Sequence, residues 1–168
     1  LARQSLEACV NGKKLAPPKP ADPKLTRDSG AFVTLKKHGA LRGCIGYIEA
    51  VKPLYEALAE MAESAALRDP RFNAVTPTEL GEIDLEISVL SPLRPLKSID
   101  EIVVGKHGLV LTSGLRRGVL LPQVPTEQGW NRDQFLEGLC RKTGVPDRSW
   151  EKGAKLEAFT AQVFGERE

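Results

Sequence analysis

Mixed α and β structure, with strands paired antiparallel, is the fold class this sequence predicts, and three stretches carry the prediction. Residues Glu82–Leu90 alternate without a break, Ile83, Leu85, Ile87 and Val89 pointing one way and Glu82, Asp84, Glu86 and Ser88 the other. That alternation describes a strand with one packed and one polar face, and two-faced sheets of this kind favour antiparallel pairing. Pro53 fits a first helical turn, and Leu54, Leu58, Met61 and Ala65 follow at helical spacing with Glu56, Glu60 and Glu63 on the wet side. Trp130–Gly144 reads as a second helix. Asn131 is placed to cap it, Gln134 to reach back as the capping-box partner, and Gly144 to close its end.

The remaining elements follow in order. Residues 3–10 form a short helix with Leu6, Cys9 and Val10 on one side, so Cys9 is expected in a core. Pro17, Pro18, Pro20 and Pro23 make the next stretch an extended connector. Ala31–Lys37 and Leu41–Ile48 are strand-like runs on either side of His38-Gly39-Ala40, which suits a hairpin. Ile102–Val104, Leu109–Thr112 and Val119–Leu121 read as further short strands, with Gly105, Gly108, Gly114 and Gly118 marking turns. Cys140 falls on the apolar stripe of the second helix beside Leu136 and Leu139, and Leu156–Phe164 is a final strand.

Composition removes several function classes. Lys and Arg total 24 against 22 Asp and Glu, a balance too even for dedicated nucleic-acid binding by counterion release. Local basic spots such as Lys36-Lys37 and Arg116-Arg117 keep nucleic-acid modification open as a further class. No apolar run is long enough to span a membrane. Cys9, Cys44 and Cys140 are an odd, widely spaced set without a C-x-x-C pair, and the only histidines are His38 and His107. A zinc site of ordinary spacing cannot be built from them, and reduced thiols in the cytoplasm are the natural expectation.

Chemistry is expected in Leu41-Arg42-Gly43-Cys44-Ile45-Gly46. On a regular strand Arg42, Cys44 and Gly46 share a face, and a glycine there often marks the close approach of a ligand or another backbone. The guanidinium would stand about 7 Å from the thiol. At that distance Coulomb's law gives about 0.6 to 2.4 kcal/mol in favour of the thiolate, for effective dielectrics of about 80 to 20. Deep burial opposes this, so the exposure of Cys44 decides between nucleophile and filler. His107 is the candidate proton carrier, because His38 sits too far along its own hairpin. Asp69-Pro70-Arg71-Phe72 leaves the first long helix sharply. It reads as a local Asp–Arg clasp or as an anion-binding Arg71 near the glycine-rich strand. Asp84 and Glu86 read as a solvated strand face.

Taken together, Gly-Ala-Phe-Val-Thr-Leu (30–35), Leu-Arg-Gly-Cys-Ile-Gly (41–46), Asp-Pro-Arg-Phe (69–72), Glu-Ile-Ser-Val-Leu-Ser-Pro (86–92), Gly-Lys-His-Gly-Leu (105–109), Leu-Leu-Pro-Gln-Val (120–124) and Trp130 with Phe135-Leu136 resemble the AMMECR1 domain. More specifically, they resemble its stand-alone prokaryotic form, the AmmeMemoRadiSam system protein A. The resemblance implies one α+β domain over residues 1–168, a mainly antiparallel sheet flanked by helices with a smaller subdomain attached. It implies partnership with Memo-like proteins, which resemble extradiol dioxygenases, and with radical SAM proteins. It supplies no settled activity and leaves any cofactor unknown. Matched residue by residue, it points to Arg42, Gly43, Cys44 and Gly46, with Asp69, Arg71 and His107 as further candidates. A cysteine-dependent modifying enzyme and a non-catalytic binding or adaptor module are the two functions it leaves open.

Overall fold

Of the 168 residues, 1–167 are described by the computed structural model. They divide into two compact units, the first comprising residues 1–90 and the C-terminal stretch from Gln162, the second residues 91–161.

The first unit opens with helix α1 (Ala2–Val10), followed by the proline-rich connector and the single-turn α2 (Pro23–Thr26). Strands β1 (Ala31–Lys37) and β2 (Ala40–Tyr47) then form the expected hairpin. His38 and Gly39 both take positive φ, 51° and 80°. Two consecutive left-handed residues give the turn twist that matches a hairpin, which is why His-Gly serves there. Helix α3 (Leu54–Leu67) follows Pro53; its alanines, Leu58 and Met61 are buried, and the helix packs against α1, β1 and β2. A 3₁₀ turn over Pro77–Glu82 leads into β3 (Ile83–Leu90), which pairs antiparallel with the other side of β1. The strand order is thus β2-β1-β3, with residues 162–165 continuing beyond β3 and β2 at the edge.

Register separates two faces of this sheet. Ala31, Val33, Leu35, Ile83 and Leu85 join Leu6, Leu58, Met61 and Ala65 in one apolar core. The opposite face carries Phe32, Thr34 and Lys36 of β1 with Glu86 and Ser88 of β3. Cys9 is buried in the core, as its helical position predicts.

The second unit has its own core, centred on Leu109, Leu111, Phe135, Leu136, Leu139 and Cys140. Its strands are β4 (Arg94–Pro95), β5 (His107–Ser113), β6 (Arg116–Leu120) and the first part of β7 (Lys155–Gly165). β5 lies between β6 and β7, and β4 pairs with the free side of β7, so that Ala158 has Leu109 on one flank and Arg94 on the other. Every one of these pairings is antiparallel. Helix α4 (Gln123–Gln128) precedes α5 (Arg132–Thr143). In α5 the Asn131–Gln134 capping box forms in both directions, and Gly144 closes the helix with φ 78°.

Two expectations change here. Ile102–Val104 is not a strand: a 3₁₀ turn over Ile99–Glu101 precedes it, and the N–H groups of Lys106 and His107 both bond to the Val103 carbonyl. Glu101 locks that turn by accepting the N–H groups of Lys97 and Ser98, so local capping overrides the preference of β-branched residues for strands. Helix α4 is absent from the elements expected above.

Candidate functional site

The glycine-rich strand β2 is drawn close to α3. A Cβ on Gly43 would stand 2.3 Å from the Ala65 carbonyl oxygen, so glycine at this position lets the strand and helix backbones approach. Gly46 is equally constrained. A Cβ there would come 2.4 Å from Cγ of Phe32, its partner across the hairpin. The room expected beside the thiol at Gly46 is therefore taken by the Phe32 ring.

Arg42 departs from the face it was expected to share with Cys44. The hairpin pairs Leu35 with Gly43 and Lys36 with Leu41, leaving Arg42 as the unpaired residue of a bulge. A bulge interrupts the two-residue period and re-aims the side chain. The Arg42 guanidinium forks onto Glu79, Nε to Oε1 and Nη2 to Oε2, both 3.1 Å, and Nη1 reaches the Asn73 carbonyl at 2.8 Å. Glu79 also accepts from the Thr76 N–H at 2.9 Å and from Lys37 at 3.1 Å. These partners, Arg42 foremost, hold the Glu79 carboxyl well below the usual carboxylate range against the opposing effect of burial. The Thr76-x-x-Glu79 capping box is visible in the sequence; its recruitment of Arg42 is not.

Asp69 and Arg71 are the groups that meet Cys44. Asp69 leaves α3 with its side chain almost wholly buried, and its Oδ2 accepts the Cys44 N–H at 2.9 Å. Arg71 donates to both Asp69 oxygens, from Nε at 3.0 Å and Nη2 at 2.8 Å, and Nη2 also reaches the Cys44 carbonyl at 3.3 Å. Both outward backbone groups of Cys44 are thus taken up by one ion pair standing where a neighbouring strand would be. The Arg71 side chain is 55% exposed and lies over the Phe72 ring at 5.5 Å. Its hydrogen bonds bring Asp69 well below the ordinary carboxylate range, with burial opposing and the N–H groups of Cys44 and Arg71 helping. The positive charge of Arg71 is favoured first by Asp69, and Cys44 contributes in the same direction.

The Cys44 sulfur is half-buried, on the sheet face opposite the apolar core. Thr34 pairs with Cys44 on one side and Glu86 on the other, which sets thiol, hydroxyl and carboxylate in a row across β2, β1 and β3. The Thr34 hydroxyl lies 3.3 Å from Sγ, and Lys36 pairs with Glu86 at 2.9 Å. Cys9, by contrast, is buried, and burial pushes its thiol up. Cys140 is fully buried in the second core.

Of the sequence candidates, Gly43, Cys44, Asp69 and Arg71 therefore gather at one place. Arg42 and Gly46 build the strand around it. His107 belongs to the second unit, where its Nδ1 accepts the Val103 N–H at 3.0 Å. Thr34 and Glu79 were missed, since each acts through a partner on another strand or loop. Among the described residues no three His, Cys, Asp or Glu side chains form a metal-holding group. No described helix is long and apolar enough to cross a membrane.

Comparison with known proteins agrees with the motif reading. The AMMECR1 family profile matches residues 1–164. A protein of Methanothermobacter thermautotrophicus is 45% identical over 174 residues, covering 99% of this chain and 91% of its own. One from Methanopyrus kandleri is 42% identical over 178 residues, covering 100% and 86%. The crystal structure of an uncharacterized protein from Pyrococcus horikoshii superposes with a TM-score of 0.92 at 38% identity, covering 99% of this chain and 88% of that one.

Proposed function

The chain belongs to the AMMECR1 family, and on that premise we propose that it acts through the thiol of Cys44. The observation that carries the reading is a contrast: Cys9 and Cys140 are buried in apolar cores, while Cys44 is half-buried with a hydroxyl 3.3 Å from its sulfur. The Asp69–Arg71 pair supports the reading by fixing the Cys44 backbone at both its N–H and C=O, as a positioned nucleophile requires. Arg71, rather than Arg42, supplies the nearby positive charge. The Thr34 hydroxyl donates to the sulfur when it bears negative charge. A reactive thiol alongside two free buried ones calls for a reducing compartment, the cytoplasm.

Alkylation by iodoacetamide tests this. A carbon–sulfur bond forms, iodide leaves, and the thiol proton passes to solvent. Site-resolved mass spectrometry on the native chain should show Cys44 modified at least ~10-fold faster than Cys9 or Cys140. Equal rates at all three cysteines would overturn the proposal.

A second reading, that of a binding module for Memo-like and radical SAM partners, is favoured by the commitment of Arg42 to Glu79 and of the Gly46 gap to Phe32. Cys44→Ser separates the two. Thiol chemistry requires that the variant abolish the partners' joint product while association persists; a pure adaptor role requires that both persist.

A further inference from the structure

The second unit holds a cavity of about 150 Å³ whose wall includes Ser91, Pro92, Arg94, His107, Phe159 and Thr160. Strand register explains why these residues meet. His107 pairs with Thr160 across β5 and β7, and Arg94 pairs with Ala158 across β4 and β7. Thr160 and Ala158 are two residues apart and so face the same way, which brings Arg94, Thr160 and His107 onto one face. Gly108 admits the Phe159 ring on the other face, where a Cβ would lie 2.2 Å from it.

His107 is 93% buried, being 7% exposed, and its Nδ1 accepts the Val103 N–H at 3.0 Å. A neutral imidazole that accepts at Nδ1 carries its proton on Nε2, so the ring offers a donor there. Burial, then the charges of Lys106 and Arg94, hold His107 below the ordinary imidazole value, with Glu101 opposing. Glu101 also holds Arg94, accepting from Nη1 at 3.1 Å. The Ser91 hydroxyl is already engaged, receiving the Thr160 N–H at 2.8 Å and donating to the Pro92 carbonyl.

We infer that this cavity binds a small aliphatic carboxylate, its oxygens taken by the Arg94 guanidinium and the His107 Nε2–H, and its short carbon chain lying against Pro92 and Ala158. Guanidinium and carboxylate form charge-assisted hydrogen bonds of high directional fidelity. The apolar wall selects an acid with a short tail over inorganic phosphate, and the volume suits a molecule of a few carbon atoms. The site is independent of the Cys44 reading and stands or falls separately from it.

Titration of the full chain with propionate, followed by NMR of the His107 ring and the Val103 amide, tests the inference. Long-range ¹⁵N spectra should show the Nε2–H form, and propionate should shift both signals saturably at concentrations below ~100 mM, the weak-binding range for so small a ligand. Phosphate should bind at least ~10-fold more weakly. Arg94 has an exposed side chain, so Arg94→Met leaves the fold intact and should weaken propionate binding ~10-fold or more. Shifts that never saturate, that match those of phosphate, or that persist unchanged in Arg94→Met would each overturn it.

Discussion

Asp69 shows how one residue can serve two elements. Its carboxylate accepts two N–H groups, from Cys44 and Arg71, and pairs with a guanidinium, all from a nearly buried position at the exit of α3. Asp69→Ala leaves the Cys44 N–H and the Arg71 guanidinium without that partner and should cost about 1.5 to 3 kcal/mol, the range for hydrogen bonds involving a charged group. The pH dependence follows from the depressed value in the folded state. The contribution is complete above the ordinary Asp value of about 3.9 and is lost as pH falls through the folded value. Urea titrations of both proteins should therefore show a constant gap from pH 7 to 5 that narrows under more acid conditions. A gap independent of pH down to 3 would contradict this account.

At the level of elements, what the sequence disclosed and what it hid follow physical range. The β1–β2 hairpin was legible because alternation and a His-Gly pair act over neighbouring residues. Helix α5 was legible for the same reason, since its capping box and closing glycine are local. Asn131→Ala should accordingly cost about 1 kcal/mol in denaturant stability. A change below the error of the measurement would show that packing alone holds the helix. Arg42 was misplaced because one bulge residue between Leu41 and Gly43 cancels the strand period, and its partner Glu79 lies 37 positions away. The row of Cys44, Thr34 and Glu86 depends on pairing among three strands, information that no single segment contains.

At the level of the whole molecule, the two units carry separate cores, and each core contains one buried cysteine. Cys9 thus reports on the first unit and Cys140 on the second. Gly43→Ala would drive a Cβ against the Ala65 carbonyl, a backbone contact that no rotamer relieves, and should destabilise by about 2 to 4 kcal/mol. Thiol labelling during mild denaturation should then become faster at Cys9 than in the parent chain, with Cys140 unchanged. Equal acceleration at both thiols would mean that the units open together.

The ion pair beside Cys44 has one more consequence. β2 ends the strand order, and Asp69 with Arg71 occupies both outward backbone groups at its midpoint. An intruding β-segment from another molecule finds no vacant ladder rung at that spot. Removing the carboxylate uncovers the rung, so loss of Asp69 should make the chain self-associate as concentration rises, even at temperatures where it is still folded.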